Sequence, residues 1–439
     1  MTDLAGRLER ALADTPLAQR LGVPASDFAT RRAGDEALDG LDEPALRAIA
    51  RVVASQPETA GFLSHRSGFL AQLVTLSREG LEARAAALEA DRAEILSLDL
   101  ESALDALRLR RREQMALAAC ADLGDLASFE TISHFLSELA ESTARIGLAL
   151  ARRELDAGDD AEEEFAIVGM GKLAGRELTY HSDLDLIFLY RGGPDLVTRA
   201  SRLGQRLISY LTTMTGAGVA YDVDTRLRPS GRQGMLVTSF EAFERYQTHE
   251  AETWEHLAQL RGRVVAGAPE ASRVLERVHA DILARHAPAW GELAPLREQV
   301  RSERAHETDG GLALKTGAGG LMDVDFLAGG GLLERGAKEF PALPSVPAML
   351  RACAKGPRID SVLDDYHLLR VVEARMRWLA GRPVEILGTD EDTLCTVAEL
   401  VEPGLDAPTL LERIEAARSR IRTAYDAVIE AGSLDAIAA

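Results

Sequence analysis

Aromatic side chains are scarce in this chain, at 5% of 439 residues. Cysteine is scarcer still. Cys120, Cys353 and Cys395 stand far apart, with no CxxC pair and no histidine at ligand spacing. That excludes a disulfide-built scaffold and a cysteine zinc module, and leaves three reduced core thiols in a cytoplasmic protein as the expectation. Positive charge is also short: 50 basic against 70 acidic residues give a net charge of -20. Such a surface repels nucleic acid and anionic lipid unless a local basic patch intervenes, so neither is an expected partner. No run approaches the ~18 apolar residues of a membrane span. The start, Met1-Thr-Asp-Leu-Ala-Gly-Arg7, lacks the apolar segment of a signal peptide.

What recurs instead is Ala, Leu, Glu and Arg, a composition that suits helices because these side chains lose little rotamer freedom there. Residues 1–160 read as helical, with Leu81, Ala85, Leu88 and Ile95 on one face and Phe135, Leu139, Ile146 and Leu150 on another. The polar run 158–164 marks a boundary. Three strand candidates follow: Phe165 to Val168, Leu184 to Tyr190, and Val219 to Leu227, with a helix from Val197 to Met214 before the last. A helix with capping-box spacing opens at Thr238 and carries Phe240, Phe243 and Tyr246. Beyond about residue 270 the pattern is helical again, with a stripe of Leu369, Val372, Met376 and Leu379, and another of Leu410, Ile414, Ala417, Ile421 and Val428 behind Asp406 and Pro408. The expected fold is α+β and mostly helical. A small mixed sheet at 161–275 is flanked by N-terminal helices at 1–160 and a C-terminal helical bundle at 276–439.

Chemistry concentrates in the sheet. Side chains two apart on a strand share a face, so Asp183 and Asp185 stand together while Leu184 and Leu186 turn into the core. Adjacent carboxylates repel unless a cation joins them, and Mg²⁺ takes hard oxygen ligands together with substrate phosphates. On the third strand candidate Asp222, Asp224, Arg226 and Arg228 share a face. Beside the first strand, Asp224 completes a three-carboxylate metal site, and the two guanidinium forks face phosphates. Gly169 and Gly171 at a strand end let backbone N–H groups approach a phosphate. The run Gly169-Met-Gly-Lys-Leu-Ala174 matches a dinucleotide fingerprint only weakly, and Lys172 lacks the spacer of a Walker loop. A solvated D-x-D pair on a strand edge is common. Glycines, D-x-D and a later Asp in this order point instead to in-line phosphoryl transfer with Mg²⁺ and ATP, Asp224 serving as ligand or general base.

This arrangement resembles the polymerase-beta-like nucleotidyltransferases. More closely, the stretches 169–178, 182–186 and 223–231 look like bacterial glutamine synthetase adenylyltransferases, as do Met235 to Ser239, Thr253 to His256 and Lys315 to Phe326. The resemblance runs from about residue 100 to the end. It implies transfer of AMP between ATP and a tyrosine of glutamine synthetase, tuned by the PII signalling protein. It also implies Asp183, Asp185 and Asp224 as metal-binding catalytic residues, and Gly171, Lys172 and Ser182 along the nucleotide phosphates. The family enzyme is a tandem of two such halves, whereas this chain carries one D-x-D constellation. Thr225 and Pro229-Ser-Gly231 resemble the adenylylating half and Gly169-Met-Gly171 the deadenylylating one; adenylylation is the favoured direction. Asp325 stands where the family has Glu, one methylene longer, which leaves the roles of Asp323 and Asp325 open. Transfer of UMP or AMP to another protein or small molecule, and nucleotide binding without turnover, are the alternatives. Trp254 and Phe243 are expected in the core, and Arg261 and Arg263 on a solvated face or at phosphate. His181 is expected beside the site rather than in it.

Overall fold

The computed structural model describes residues 3–155, 164–285, 290–305, 307, 311–336 and 340–438. Most of the boundary segment expected at 158–164 therefore lies outside the described residues. Seven helices lead: α1 (Leu4–Ala11), α2 (Ala18–Arg31), α3 (Glu43–Ser55), α4 (Pro57–Ser64), α5 (Phe69–Leu96), α6 (Leu100–Leu123) and α7 (Phe129–Glu154). Several start where a short polar side chain takes up an orphan N–H: Asp42 accepts from Ala45, Asp99 from Ser102 and Ser128 from Thr131.

The sheet region holds β1 (Phe165–Met170), the single turn α8 (Gly171–Ala174), β2 (Leu184–Tyr190), α9 (Val197–Thr212) and β3 (Val223–Asp224). It continues with β4 (Val237–Ser239), α10 (Phe240–His249), α11 (Thr253–Gln259) and β5 (Gly262–Gly267). Strand order is β3-β2-β1-β5, with β4 pairing β2 further along. β1 runs antiparallel to β2 and β5, while β3 and β4 run parallel to β2. The expected α+β class, mostly helical with a small mixed sheet, is what the chain adopts.

The C-terminal part is α12 (Glu270–Ala284), α13 (Trp290–Arg304), β6 (Gly311–Ala313), α14 (Leu321–Arg335), α15 (Val346–Cys353) and α16 (Pro357–Ala380). Then come β7 (Ile386–Gly388), α17 (Glu391–Val401), α18 (Ala407–Ala431) and α19 (Asp435–Ala438). Helix α12 runs through the boundary expected after residue 275. Among the described residues no helix is long and apolar enough to cross a membrane.

Alternation along β1 and β2 sorts the interior into two cores. Phe165, Ile167, Leu184, Leu186 and Phe188 face the N-terminal helices. Ala166, Val168, Met170, Ile187 and Leu189 face the C-terminal ones. A sheet buried on both faces explains the near-continuous apolar runs that marked these strands.

The structure corrects four expectations. The third strand is two residues long, because Asp224 accepts from the N–H of Arg226 at 2.8 Å and bends the chain into a turn. The helix after β4 is capped by Ser239, which accepts from Ala242, so Thr238 stays in the strand. Strands β5, β6 and β7 are short and carry glycine at one or both ends, with too few residues to show a period-two pattern. Phe243 is fully buried as expected, but Trp254 is 40% exposed and donates its Nε1–H to Glu252 at 2.8 Å.

His279 on α12 is buried against Phe340, with Nε2 2.8 Å from the Gln259 carbonyl. Burial pushes its pKa down from 6.5 to about 4. The unfolded chain therefore takes up a proton below 6.5 that the folded chain refuses until about 4, so stability falls as pH drops through that window, by on the order of 3 kcal/mol at the limit. Urea titrations from pH 7 to pH 4 should show a shallower decline for His279→Gln than for the parent. Parallel declines would show that another group carries the acid sensitivity.

Candidate active site

β1 ends at Met170, and Gly171 (φ +56) swings the chain into α8. A side chain there would be strained by the left-handed backbone, and its Cβ would sit 3.7 Å from Asp185 Oδ2. The loop from Gly175 returns the chain to β2 through Arg176 and His181, both non-glycine residues at positive φ. Backbone strain of this kind persists where surrounding contacts over-determine it. His181 is largely buried near Arg111 and Arg377, and burial followed by those charges pulls its pKa down to about 4.

Asp183 is exposed just before β2, and Asp185 is half-buried within it, between the fully buried Leu184 and Leu186. Asp185 pairs in parallel register with Asp224 of β3, and Leu184 N–H donates to the Asp222 carbonyl at 2.9 Å. Neighbouring strands lie ~4.8 Å apart, so the second and third carboxylates are cross-strand neighbours. Burial, then the charges of Asp183 and Asp224, push Asp185 up to about 6, against the opposing pull of Lys315 and Arg226. Arg226 holds Asp224 in place, Nε on Oδ2 at 2.6 Å and its own N–H on Oδ1. With the side chains so disposed, no three His, Cys, Asp or Glu groups among the described residues converge closely enough to hold a metal ion. The donors nonetheless suit a hard divalent cation: all are carboxylate oxygens, from adjacent segments, and crowded enough to raise one pKa.

The remaining expected residues divide. Gly169 lies inside β1, paired on both sides, where a Cβ would meet Leu173 and Val265 at 2.9 Å; it serves packing. Gly171 is at the site, but its N–H donates to the Arg261 carbonyl at 2.8 Å. Lys172 reaches Glu373 on α16, and Ser182 is buried within reach of Arg377. Arg228 points back into its own turn, donating to Thr225 O at 2.6 Å and Gly234 O at 3.3 Å. The shared strand face expected for Asp224, Arg226 and Arg228 is thus replaced by a turn. Arg261 and Arg263 are not solvated. Arg261 bridges Glu177 and Asp325, and Arg263 bonds Ala174 O and Glu141.

Sequence reasoning missed the contribution of the C-terminal helices. Lys315 lies in the electrostatic reach of Asp185, Lys172 and Asp325. Glu177 receives Arg261, Tyr366 OH and Val346 N–H. Asp323 is fully buried on Arg297 (2.6 Å) and caps the turn through Gly319 N–H at 2.6 Å. Asp325 instead belongs to the network beside the carboxylates. The signal available was the motif Lys315 to Phe326, and charges on every face of an otherwise apolar α16.

Because Asp185 is ionised at neutral pH against burial and like charge, Asp185→Asn should raise stability above pH 6. A gain of on the order of 3 kcal/mol is expected, vanishing as pH falls toward 4, where the parent carboxyl is protonated. Chemical denaturation at pH 8 and pH 4.5 measures it. Lower stability of the variant at pH 8 would show that the charge is matched in the folded chain.

The family model described as glutamate-ammonia ligase adenylyltransferase matches residues 46–278, from α3 to α12. Among curated proteins, the bifunctional glutamine synthetase adenylyltransferase/adenylyl-removing enzyme of Chromobacterium violaceum is 36% identical over 301 residues, covering 66% of this chain and 33% of that protein. The enzyme of the same name from Aromatoleum aromaticum is 33% identical over 353 residues, covering 76% and 37%. That from Hahella chejuensis is 36% identical over 272 residues, covering 56% and 28%. The chain spans about a third of the length of these relatives. With more than half its residues inside the family match and the paired aspartates within it, this chain belongs to the glutamate-ammonia ligase adenylyltransferase family.

Proposed function

We propose that the chain transfers AMP between ATP and a tyrosine of glutamine synthetase, in the adenylylating direction, with PII signalling protein as a regulator. The observation that carries this reading is the register of Asp185 against Asp224, with Asp183 beside them and Gly171 at their edge. The names of the relatives supply the acceptor. Thr225 and Pro229-Ser-Gly231 favour the direction.

Asp183, Asp185 and Asp224 would hold Mg²⁺, whose charge, when bound, neutralises the triphosphate and acidifies the acceptor hydroxyl. Lys172 and Ser182 face the phosphates, and Arg226, an exposed guanidinium paired with Asp224, turns to them once released. The tyrosine oxygen attacks the α-phosphorus, its bond to the pyrophosphate bridging oxygen breaks, and the hydroxyl proton passes to Asp224. The three segments 1–160, 161–275 and 276–439 then act as N-terminal support, catalytic sheet and helical cover.

Incubation with α-labelled ATP, Mg²⁺ and glutamine synthetase should label a tyrosine of that protein. Asp183→Asn and Asp224→Asn should each lower the rate about 100-fold or more, with unchanged far-UV circular dichroism. Label from UTP on PII, in place of label from ATP on glutamine synthetase, would move the assignment to uridylyl transfer. Full activity of Asp183→Asn would remove the carboxylate mechanism altogether.

A further inference from the structure

Helix α16 runs alongside the two segments that carry Lys172 and Ser182. Glu373, 2% exposed, accepts both its hydrogen bonds from Lys172 Nζ, at 2.6 and 2.7 Å. One turn on, Arg377 places Nη2 3.4 Å from the same carboxylate and Nη1 3.4 Å from Ser182 Oγ. One turn back, Arg370 sets Nε 3.7 Å from Glu373 and donates to the carbonyl of Glu177. Spacing of three and four residues along a helix puts all three on one face.

Glu373 faces three cations, Lys172, Arg370 and Arg377, while Asp325 also faces Lys172 and Glu177 also faces Arg370. Burial disfavours the charged form of Glu373, but Lys172, Arg377 and Arg370 overcome it and hold the carboxyl well below its usual range. A buried ion pair is a poor source of stability compared with apolar side chains of the same volume. What it does supply, and leucine does not, is a fixed point for an ammonium group on a flexible stem.

We infer that Glu373 is a positioning residue for nucleotide binding: it fixes Lys172, while Arg377 fixes Ser182, so that α16 completes the phosphate site from outside the sheet. This rests on the reading that Lys172 and Ser182 face the phosphates of ATP. Burial draws Lys172 down to about 7, and Glu373 opposes the fall. The other charges facing Lys172 are Arg370 and Arg377 of α16, Lys315 of the loop before α14, and Asp325 of α14. Without Glu373 the cations dominate, and Lys172 loses its proton at lower pH.

The test is titration of the full chain with a fluorescent N-methylanthraniloyl ATP and Mg²⁺ between pH 6 and pH 9. Glu373→Gln should weaken binding about 10-fold at pH 7.5 and move the loss of affinity to lower pH. Lys172→Met should weaken it similarly, and the double variant should bind no worse than Lys172→Met alone. Unchanged affinity in Glu373→Gln, or penalties that add in the double variant, overturns the inference. If Glu373→Gln fails to fold, Glu373→Asp keeps the charge one methylene short and should weaken binding about 3-fold, again without effect in the Lys172→Met background. Parental affinity in the Asp variant overturns it equally. A parent chain that does not bind the nucleotide sinks the nucleotide reading itself. Parental binding with an indifferent Glu373 sinks only the role of α16.

Discussion

Everything at the candidate site depends on β2 being covered on both faces. Its even-numbered side chains from Leu184 to Phe188 enter the core shared with the N-terminal helices, and Ile187 and Leu189 enter the core of the C-terminal helices. Asp185 shares the parity of the second set, so it faces the C-terminal helices at the one end of the strand where the cover opens. A charge there is met by two cations, Lys315 from the loop before α14 and Arg226 from the turn after β3, against the like charges of Asp183 and Asp224. In a low-dielectric pocket each of these acts more strongly than it would in water. The carboxylates of the sheet therefore sit among cations from both the sheet region, Arg226, and the segment that follows it, Lys315.

The same division explains why two helical bodies are needed to build one small sheet. Trp378 of α16 donates to Ser55 of α3 at 2.9 Å, and Gln56 reaches the Trp378 carbonyl at 3.0 Å. Arg51 pairs with Glu399 of α17 at 3.2 Å, both buried. These bonds join the first and last parts of the chain directly, so α16 is held from behind while its other face meets Lys172 and Ser182. A helix anchored on both sides keeps a fixed distance to the site, which binding of a polyphosphate demands.

Much of this was legible in the sequence, and the reasons for the rest are physical. The D-x-D pair could be placed on a strand with its leucines inward because period two is a strict geometric rule. The helix start behind Asp406 was readable because a local side chain satisfies its own helix end, accepting from the Thr409 N–H. The truncation of β3 was not legible, because alternation from Val219 to Leu227 is the same whether or not Asp224 bends the backbone through Arg226. Arg228 went astray for that reason alone. The ionic side of the site escaped notice because Arg370, Glu373 and Arg377 are charges inside a helix whose apolar stripe suffices for its placement. Only tertiary packing shows that the opposite face is buried as well.

Buried Asp122 takes its two strongest partners, Tyr180 and Arg375, from far along the chain. During synthesis the N-terminal helices leave the ribosome ahead of both partners: Tyr180 follows first, and Arg375 only with α16, a separation of 253 residues. A buried charge without its ion-pair partner is costly, so final packing around Asp122 is favoured only once α16 has docked. Completion of the fold awaits a contact of long sequence separation, which slows the last step. The piece that closes the fold is the same helix that reaches the candidate site, and a chain cut short before it would present neither.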